Sequence, residues 1–332
     1  MNLRSIIVVF SLLITSVFAQ DSKKIYRDLS DALLEKDSVI ILNLSEQGLI
    51  KLPKEVRKFK NLEVINLSNN KFHKFPKQLR KNKKLNEINL NMNEIEKIKS
   101  SFKRFNSLEK ISIAQNKLKE FPYKLAKARR LKNLNLAKND ISNIDSRIIN
   151  FDSIRVIILY ENKLTSLPLN IYKLTELREL DIYYNQIKEL DTSIKNLQGI
   201  ERLYLSYNLL RQLPDEICSL KHLKYLYVQQ NQLENLPTCL NKLEQLERVD
   251  IKYNRFNYFP EEILTLQNIQ ELDVSGNNLI LLPDKLLDLE RLELLMLRDN
   301  PLLFRGKNKS LNSDIIEKLE KKGVIVKYLL ND

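Results

Sequence analysis

The chain has 332 residues and carries 55 lysines and arginines against 42 aspartates and glutamates, so its net charge is +13. Two histidines and two cysteines are too few for a zinc site of the usual kind, and the five glycines form no phosphate-cradling loop. The carboxylates recur periodically or scatter, so no isolated pair indicates acid–base catalysis. The composition argues against an enzyme, and we expect no cofactor and no metal.

The first 19 residues have the features of a signal peptide. Arg4 supplies a positive charge, residues 6–14 form an apolar stretch too short to span a bilayer, and a cleavage site follows at Ala19. No cysteine follows the apolar stretch, so a bacterial lipoprotein anchor is not expected. We predict export to the periplasm, the outer surface or the medium. A single uncleaved membrane anchor is the alternative.

Residues 20–38 are predicted to form an N-terminal cap. From Ser22 to Lys36, apolar residues recur at i, i+4, i+7 and i+8, and most charges lie at other positions. This spacing is typical of an amphipathic helix. Such a helix would cover the first apolar edge of the region that follows.

Residues 39–305 contain about twelve copies of a 23-residue unit. In the copy around Asn208, apolar residues lie 8, 5 and 3 positions before this asparagine and 2 positions after it. Gln47 replaces the asparagine in the first copy. The asparagines of the other copies, spaced by 23 residues, are Asn70, Asn93, Asn116, Asn139, Asn162, Asn185, Asn208, Asn231, Asn254, Asn277 and Asn300.

This LxxLxLxxNxL frame resembles that of bacterial leucine-rich-repeat proteins of the 23-residue LPxxIxxLxxLxxLxLxxNxL type. The resemblance implies an α/β solenoid, a curved right-handed superhelix with a parallel sheet on its concave face and short helical or extended segments on its convex face. The frame itself supports this fold, because Leu203 and Leu205 alternate as in a short strand with both side chains inward. We expect the asparagines to be structural, because an amide can bond to the turns of its own and the next repeat.

The outer segment of each repeat opens with a proline in most copies, six positions after the asparagine. Lys99, Asp145 and Asp191 replace this proline, and we expect a different outer turn there. Cys218 and Cys239 lie on the outer segments of consecutive repeats, and export makes a disulfide chemically possible. Their staggered positions favour a distance beyond bridging range, so we expect no bond.

Residues 51–140 are strongly basic, with 25 lysines and arginines against 8 acidic residues. Many of the cations fall in clusters on outer segments: Arg57, Lys58 and Lys60; Arg80, Lys81, Lys83 and Lys84; Lys127, Arg129 and Arg130. One interpretation is a solvated convex surface, and the other is a footprint for an anionic surface or a glycan. Nucleic acid is an unlikely partner, because the phenylalanines among these lysines mostly occupy core positions and cannot stack on bases.

Eight of the thirteen tyrosines lie at concave positions of the five repeats from Asn162 to Asn254, and the equivalent positions of the other repeats have none. They are Tyr160, Tyr183, Tyr184, Tyr204, Tyr207, Tyr225, Tyr227 and Tyr253. Charged side chains interleave with them, namely Arg202, Arg248, Asp181, Asp250 and Lys252. Strand propensity favours tyrosine on any sheet but does not explain why it stops at the neighbouring repeats.

Tyrosine and arginine are enriched at interface hot spots, so these residues predict a surface that binds a protein or a peptide. A sheet face without function and a glycan site are the alternatives, and the absence of tryptophan counts against the glycan. We therefore expect a non-enzymatic binding module. An envelope-associated structural or adhesion protein, held through its basic convex surface, is the alternative function.

Residues 306–332 are predicted to form a C-terminal cap. Asn312 or Ser313 can cap a helix that continues through Lys322, with its apolar side chains turned inward. Val324–Tyr328 is predicted to form a last strand.

Overall fold

The computed structural model of the protein describes residues 24–99, 101–303 and 309–328, and the predicted signal peptide lies outside them. Within the described residues, fourteen strands form one sheet whose spatial order is the order of the chain. The strands are β1 Ile25–Tyr26, β2 Ile41–Asn43, β3 Val64–Asn66, β4 Glu87–Asn89, β5 Lys110–Ser112, β6 Asn133–Asn135, β7 Val156–Ile158, β8 Glu179–Asp181, β9 Arg202–Tyr204, β10 Tyr225–Tyr227, β11 Arg248–Asp250, β12 Glu271–Asp273, β13 Leu294–Met296 and β14 Ile325–Lys327.

One strand per repeat follows directly from the sequence frame. Each residue of β2 to β12 pairs in parallel with the residue 23 positions later, as Leu203 pairs with Leu226. The middle residue of each three-residue strand is buried, and its two neighbours face the concave surface. The predicted solenoid with a parallel sheet is thereby confirmed.

Short 3₁₀ helices form the outer side of the solenoid. They span Lys54–Lys58, Lys77–Lys81, Tyr123–Lys127, Ser146–Asn150, Leu169–Lys173, Thr192–Asn196, Asp215–Ser219, Leu240–Lys242, Glu261–Thr265, Asp284–Asp288 and Pro301–Leu303. A proline directly precedes most of them, because its fixed φ suits the entry and its missing N–H is not needed there.

Two of the three outer turns without proline differ from our expectation. Asp145 and Asp191 precede ordinary 3₁₀ helices, and each side chain accepts a hydrogen bond from the backbone two residues on. An aspartate therefore replaces proline by capping the turn, and the expected change is wrong at these two positions. The repeat of Lys99 does differ, because no 3₁₀ helix forms over the described residues 101–109.

The asparagine ladder ties each turn to the one before it. The Asn208 side-chain nitrogen donates to the carbonyl oxygens of Leu205 and Ser206 in its own turn, at 2.9 and 3.2 Å. It also donates to the Ile182 carbonyl at 3.0 Å, while its oxygen accepts from the Ile187 N–H at 2.9 Å. Ile182 and Ile187 belong to the preceding repeat, so these bonds run backward along the chain and not to the next repeat.

The N-terminal end is only partly helical. Helix α1 spans Leu29–Leu34, and the predicted helix is wrong further upstream, where Ile25–Tyr26 forms β1 and pairs with β2. The reason is Asp28, whose side chain accepts from the N–H groups of Ser30 and Asp31 and so starts the helix after the strand.

The C-terminal end carries both predicted elements. Helix α2 covers Lys309–Lys321, and β14 follows it to close the sheet against β13. Asn312 lies inside α2 instead of capping it. It is fully buried and bonds to the N–H of Leu282 and the carbonyl of Ile280.

Cys218 and Cys239 form a disulfide, with their Cα atoms 5.9 Å apart. The expectation that they lie beyond bridging range is therefore wrong. The outer turns of the two repeats make equivalent backbone bonds, since the N–H groups of Ile217 and Leu240 donate to the carbonyls of Pro214 and Pro237. A stagger of two positions between such adjacent turns is therefore within bridging range.

Candidate binding surface on the concave face

The eight concave tyrosines, called here the tyrosine cluster, lie on β7 to β11 and the turns that follow these strands. Tyr204 ends β9, and Tyr225 and Tyr227 begin and end β10. Tyr184 and Tyr253 are the most exposed members at 54% and 41%, and the other six are half-buried. The structure therefore brings all eight predicted tyrosines to one face.

Four of the rings form a continuous group around Tyr183. Its ring centroid lies between 5.0 and 6.5 Å from those of Tyr160, Tyr184 and Tyr207. Tyr184 and Tyr207 also contact each other, at 5.5 Å. These distances are those of favourable aromatic pairs, so the rings support one another as a fixed surface.

A second group combines stacked rings with guanidinium groups. The rings of Tyr204 and Tyr227 stack 5.0 Å apart with an angle of 5° between their planes. Arg248 donates to the Tyr227 hydroxyl at 3.3 Å, and the Arg202 guanidinium carbon lies 5.5 Å from the centroid of the Tyr225 ring. Both predicted arginines are thus held against the tyrosines, where they add cation–π attraction and hydrogen bonds.

The residue directly before each ladder asparagine has a left-handed backbone. At this position φ is 54° for Tyr184, 53° for Tyr207 and 50° for Tyr253, compared with 53° for Asn69 in an N-terminal repeat. Glycine and asparagine tolerate this conformation best, and a bulky side chain is disfavoured there. The backbone therefore does not select these three rings.

Tyr253 also depends on space left by its neighbour in the next repeat. A Cβ added at Gly276 would lie 2.1 Å from Cδ1 of the Tyr253 ring, so only glycine leaves room for the ring in this orientation. The Tyr253 hydroxyl then donates to the Asp299 carboxylate at 3.0 Å. Gly276 and Asp299 position this tyrosine, and a count of tyrosines alone does not reveal them.

Asp181 and Asp250, both predicted to contact a partner, are buried below the rings. Oδ1 of Asp181 accepts from the Tyr183 N–H at 3.0 Å, and Oδ1 of Asp250 accepts from the Lys252 N–H at 3.2 Å. Both lie four residues before a ladder asparagine, and each bond caps the turn that follows the strand. The exposed fraction of Asp181 is 2%, so a partner can contact only the small exposed part of this side chain.

The two buried aspartates have different electrostatic surroundings. Lys252 lies between Asp250 and Asp273, with nitrogen–oxygen distances of 3.6 and 3.4 Å. Among the described residues, Asp181 has no lysine or arginine within 4 Å, and the nearby Glu179 adds a second negative charge. Burial raises the pKa of the Asp181 carboxyl to about 7, because no cation offsets its loss of hydration.

The basic outer surface lies apart from this site. Of the clustered cations in residues 51–140, Arg80 is half-buried and the others are exposed. None of them has a carboxylate within 4 Å in the part of the chain that the structure describes. The phenylalanines among them pack into the core, as Phe75, Phe102 and Phe105 do around one another. This region is therefore a positively charged surface without exposed aromatic rings.

The comparisons with known proteins agree with this architecture. A family model described as a leucine-rich repeat region matches residues 130–256, and one described as a leucine rich repeat matches residues 61–82. A solved leucine-rich-repeat protein of Leptospira interrogans is 23% identical, with a TM-score of 0.58, over 92% of this chain and 99% of that one. The chain has the fold of a leucine-rich-repeat solenoid.

Two further solved structures are similar to this leucine-rich-repeat solenoid. The plant peptide hormone receptor RGFR1, in complex with RGF2, is 22% identical with a TM-score of 0.61, over 80% of this chain and 52% of that one. The repeat domain of FLRT2, in an octameric complex with latrophilin 3 and Unc5D, is 22% identical with a TM-score of 0.69, over 86% and 88%. A search of curated proteins gives no match.

The described part of the solenoid contains no group of three or more histidine, cysteine or carboxylate side chains placed to hold a metal. It also contains no helix with the length and apolar character needed to cross a membrane. The chemistry of the concave face is thus that of aromatic rings, buried carboxylates and two arginines.

Proposed function

We propose that the protein is an exported, non-enzymatic binding module that holds a protein or peptide partner on its tyrosine cluster. The observation that carries this proposal is the confinement of eight tyrosines to one face of five repeats, three of them at backbone positions unfavourable for a bulky residue. Tyrosine combines a large contact area with few rotatable bonds and a polar tip, which suits an interface hot spot.

The scaffold supports this function by holding the rings in place before a partner arrives. Strand pairing and the asparagine ladder fix the backbone, and ring contacts of 5.0 to 6.5 Å fix the side chains. A preorganised surface loses less conformational entropy on binding than a mobile one. The structures of RGFR1 and FLRT2 were solved in complexes, and the shared fold makes a protein or peptide ligand a reasonable partner class here.

The export part of the proposal rests on the predicted signal peptide and on the disulfide. Cys218 and Cys239 are bonded, and such bonds persist in oxidising compartments outside the cytoplasm. We assign the protein to the periplasm, the outer surface or the medium of a bacterial cell. Mass spectrometry of the N-terminus of the protein recovered from outside the cytoplasm tests this, because cleavage after Ala19 leaves Gln20 first. A chain that keeps Met1 contradicts cleavage and favours the uncleaved anchor, and a chain found only in the cytoplasm contradicts export.

The binding proposal is tested with the double variant Tyr184→Asn and Tyr253→Asn. These are the two most exposed rings of the cluster, and asparagine is well tolerated at their left-handed positions, so the thermal transition should stay within a few degrees of wild type. Removing two hot-spot tyrosines should weaken capture of the partner by immobilised mature protein about tenfold or more.

The matched control is Met92→Asn. Met92 lies at the same repeat position with φ of 55° and is 47% exposed, but it belongs to a repeat outside the tyrosine cluster. It should capture the partner as wild type does. Equal capture by wild type, control and double variant contradicts the proposed function.

The basic outer surface carries the second candidate function, attachment to an anionic envelope surface or glycan. Its clustered lysines and arginines, which have no carboxylate within 4 Å among the described residues, favour this function, and attachment through them should fail at high ionic strength. Binding through the tyrosine cluster should persist there, so capture at about 1 M salt, where the screening length is about 3 Å, separates the two functions.

A further inference from the structure

The charge of Asp181 is not needed for its structural role. Its Oδ1 accepts from the N–H two residues on, at 3.0 Å. Asn66 and Asn89 make the same bond at the same repeat position, each at 3.0 Å. A neutral asparagine would therefore cap the turn without the penalty of burying a carboxylate.

The other buried aspartates at this position have a cation and Asp181 does not. Lys252 lies within 4 Å of both Asp250 and Asp273, which offsets their burial. Asp181 is 2% exposed, and the nearest arginine along the sheet, Arg202, pairs in register with Glu179 and not with Asp181. The folded chain thus holds an aspartate charge at the concave face that no described lysine or arginine neutralises.

The surroundings of this charge are suited to a cation. Tyr204 pairs in register with Asp181, and Tyr183 follows it in the chain. Burial raises the pKa of the Tyr160 hydroxyl, in the turn of the preceding repeat, and the charges of Glu161 and Asp181 raise it further. Glu179 lies two residues before Asp181 on the same strand and the same face. Aromatic faces and carboxylates together attract an ammonium or guanidinium group.

The charge balance of the whole concave site also favours a cationic ligand. At concave positions of the five repeats from Asn162 to Asn254, four residues are acidic and three are basic, although the chain as a whole has a net charge of +13. The acidic residues are Glu161, Glu179, Asp181 and Asp250. A complementary partner therefore brings positive charge to this face.

We propose that Asp181 and Glu179, walled by Tyr160, Tyr183 and Tyr204, bind a lysine or arginine side chain of the partner. This assignment rests on the proposed function and adds the chemistry of the partner: an exposed segment with a basic residue at its centre. The long stem of either side chain contacts the tyrosine rings while its charged end reaches the carboxylates.

The probe is a blocked tetrapeptide, acetyl-Gly-Lys-Lys-Gly-amide, and its twin with both lysines acetylated. Binding is followed by tyrosine fluorescence, which is suitable because the chain contains no tryptophan. The lysine peptide should bind wild type saturably, and the acetylated twin should bind at least about tenfold more weakly because it lacks the charge.

The decisive variant is Asp181→Asn, which keeps the capping bond and removes the charge. It should lower affinity for the lysine peptide about tenfold, while its thermal transition stays the same or rises. Asp273→Asn is the control, because it makes the same change in net charge at the same repeat position. Asp273 lies four strands from Asp181, which is roughly 19 Å. This variant should leave the affinity for the lysine peptide within about twofold of wild type.

Equal affinity of wild type and Asp181→Asn overturns the inference, as does equal binding of the two peptides or no saturable binding of the lysine peptide to wild type. The proposed function is judged separately by the tyrosine double variant. If that variant loses the natural partner and Asp181→Asn keeps it, the cation site is wrong and the binding function stands. If both variants keep it, both proposals are wrong.

Discussion

The N-terminal repeats and the middle repeats share one backbone and differ in the residues that the backbone leaves free. Asn93 and Asn208 make equivalent sets of ladder bonds, and β4 and β9 pair with their neighbours in the same register. The N-terminal repeats place Asn66, Asn89 and similar small polar residues on the concave face, where the middle repeats place tyrosines. Within one repeat, the residues that form the frame and the residues that we propose to bind a partner therefore lie at different positions.

If the frame is the same in both regions, a ladder asparagine should contribute equally to the stability of the protein in each. Asn93→Ala and Asn208→Ala each remove three donated bonds and one accepted bond and leave buried backbone groups unpaired. Each should lower the free energy of unfolding by about 3 kcal/mol in urea denaturation. A difference above about 1 kcal/mol between the two contradicts a common frame.

The disulfide is a feature of the middle repeats alone. Cys218 and Cys239 close a chain segment of 21 residues, so reduction should lower the free energy of unfolding by about 2 to 3 kcal/mol. Thermal unfolding with and without dithiothreitol measures this. The double variant Cys218→Ala and Cys239→Ala is the control, and any effect of the reductant on it shows that the shift has another cause.

Asp181 should make the stability of the middle repeats depend on pH. Its pKa is about 7 in the folded protein against 3.8 in the unfolded chain, so ionisation opposes folding. The penalty is absent below about pH 4 and complete above about pH 7. Asp181→Asn should therefore gain stability relative to wild type, and this gain should grow by about 2 kcal/mol between pH 5 and pH 8.

The measurement is urea denaturation of both proteins at the two pH values. Groups that the two share and that do not interact with Asp181, including the Asp250–Lys252–Asp273 group, cancel in the difference between the proteins. The Glu179 charge acts on Asp181, so its titration is part of the measured change. Asp152→Asn, at an exposed outer position, gives the baseline for replacing a carboxylate. A constant difference at pH 5 and pH 8 shows that Asp181 is not held in an unfavourable environment.

Much of the fold could be predicted from the sequence because the same pattern of apolar residues and asparagine recurs in about twelve repeats. The strand at Leu203, the turn at Asn208 and the buried apolar residues of the outer segments all follow from a fixed spacing. The predictions that were wrong concern segments outside the repeated pattern. The Asp28 side chain caps α1 and so determines where this helix starts. The spacing of apolar residues does not predict this cap.

The disulfide and the surroundings of Asp181 could not be predicted, because they depend on distances between repeats that one sequence does not show. Only the packing of adjacent outer turns shows that cysteines 21 residues apart have their Cα atoms 5.9 Å from each other. The tyrosines could be placed on the concave face, since alternation along a strand decides the face. Comparing Asp181 with the asparagines at the same repeat position could have shown that its charge is dispensable for the turn, but its missing cation needed the structure.

Tyrosine nitration tests the central claim most directly, because the protein supplies its own reference. Tyr184 and Tyr253 belong to the cluster, and Tyr258 lies outside it with an exposed fraction of 81%. Nitration with tetranitromethane, followed by peptide mass spectrometry, should modify all three in the free protein. With the partner bound, Tyr184 and Tyr253 should be protected and Tyr258 should react as before. Unchanged reaction of Tyr184 and Tyr253 in the complex would contradict a functional tyrosine cluster.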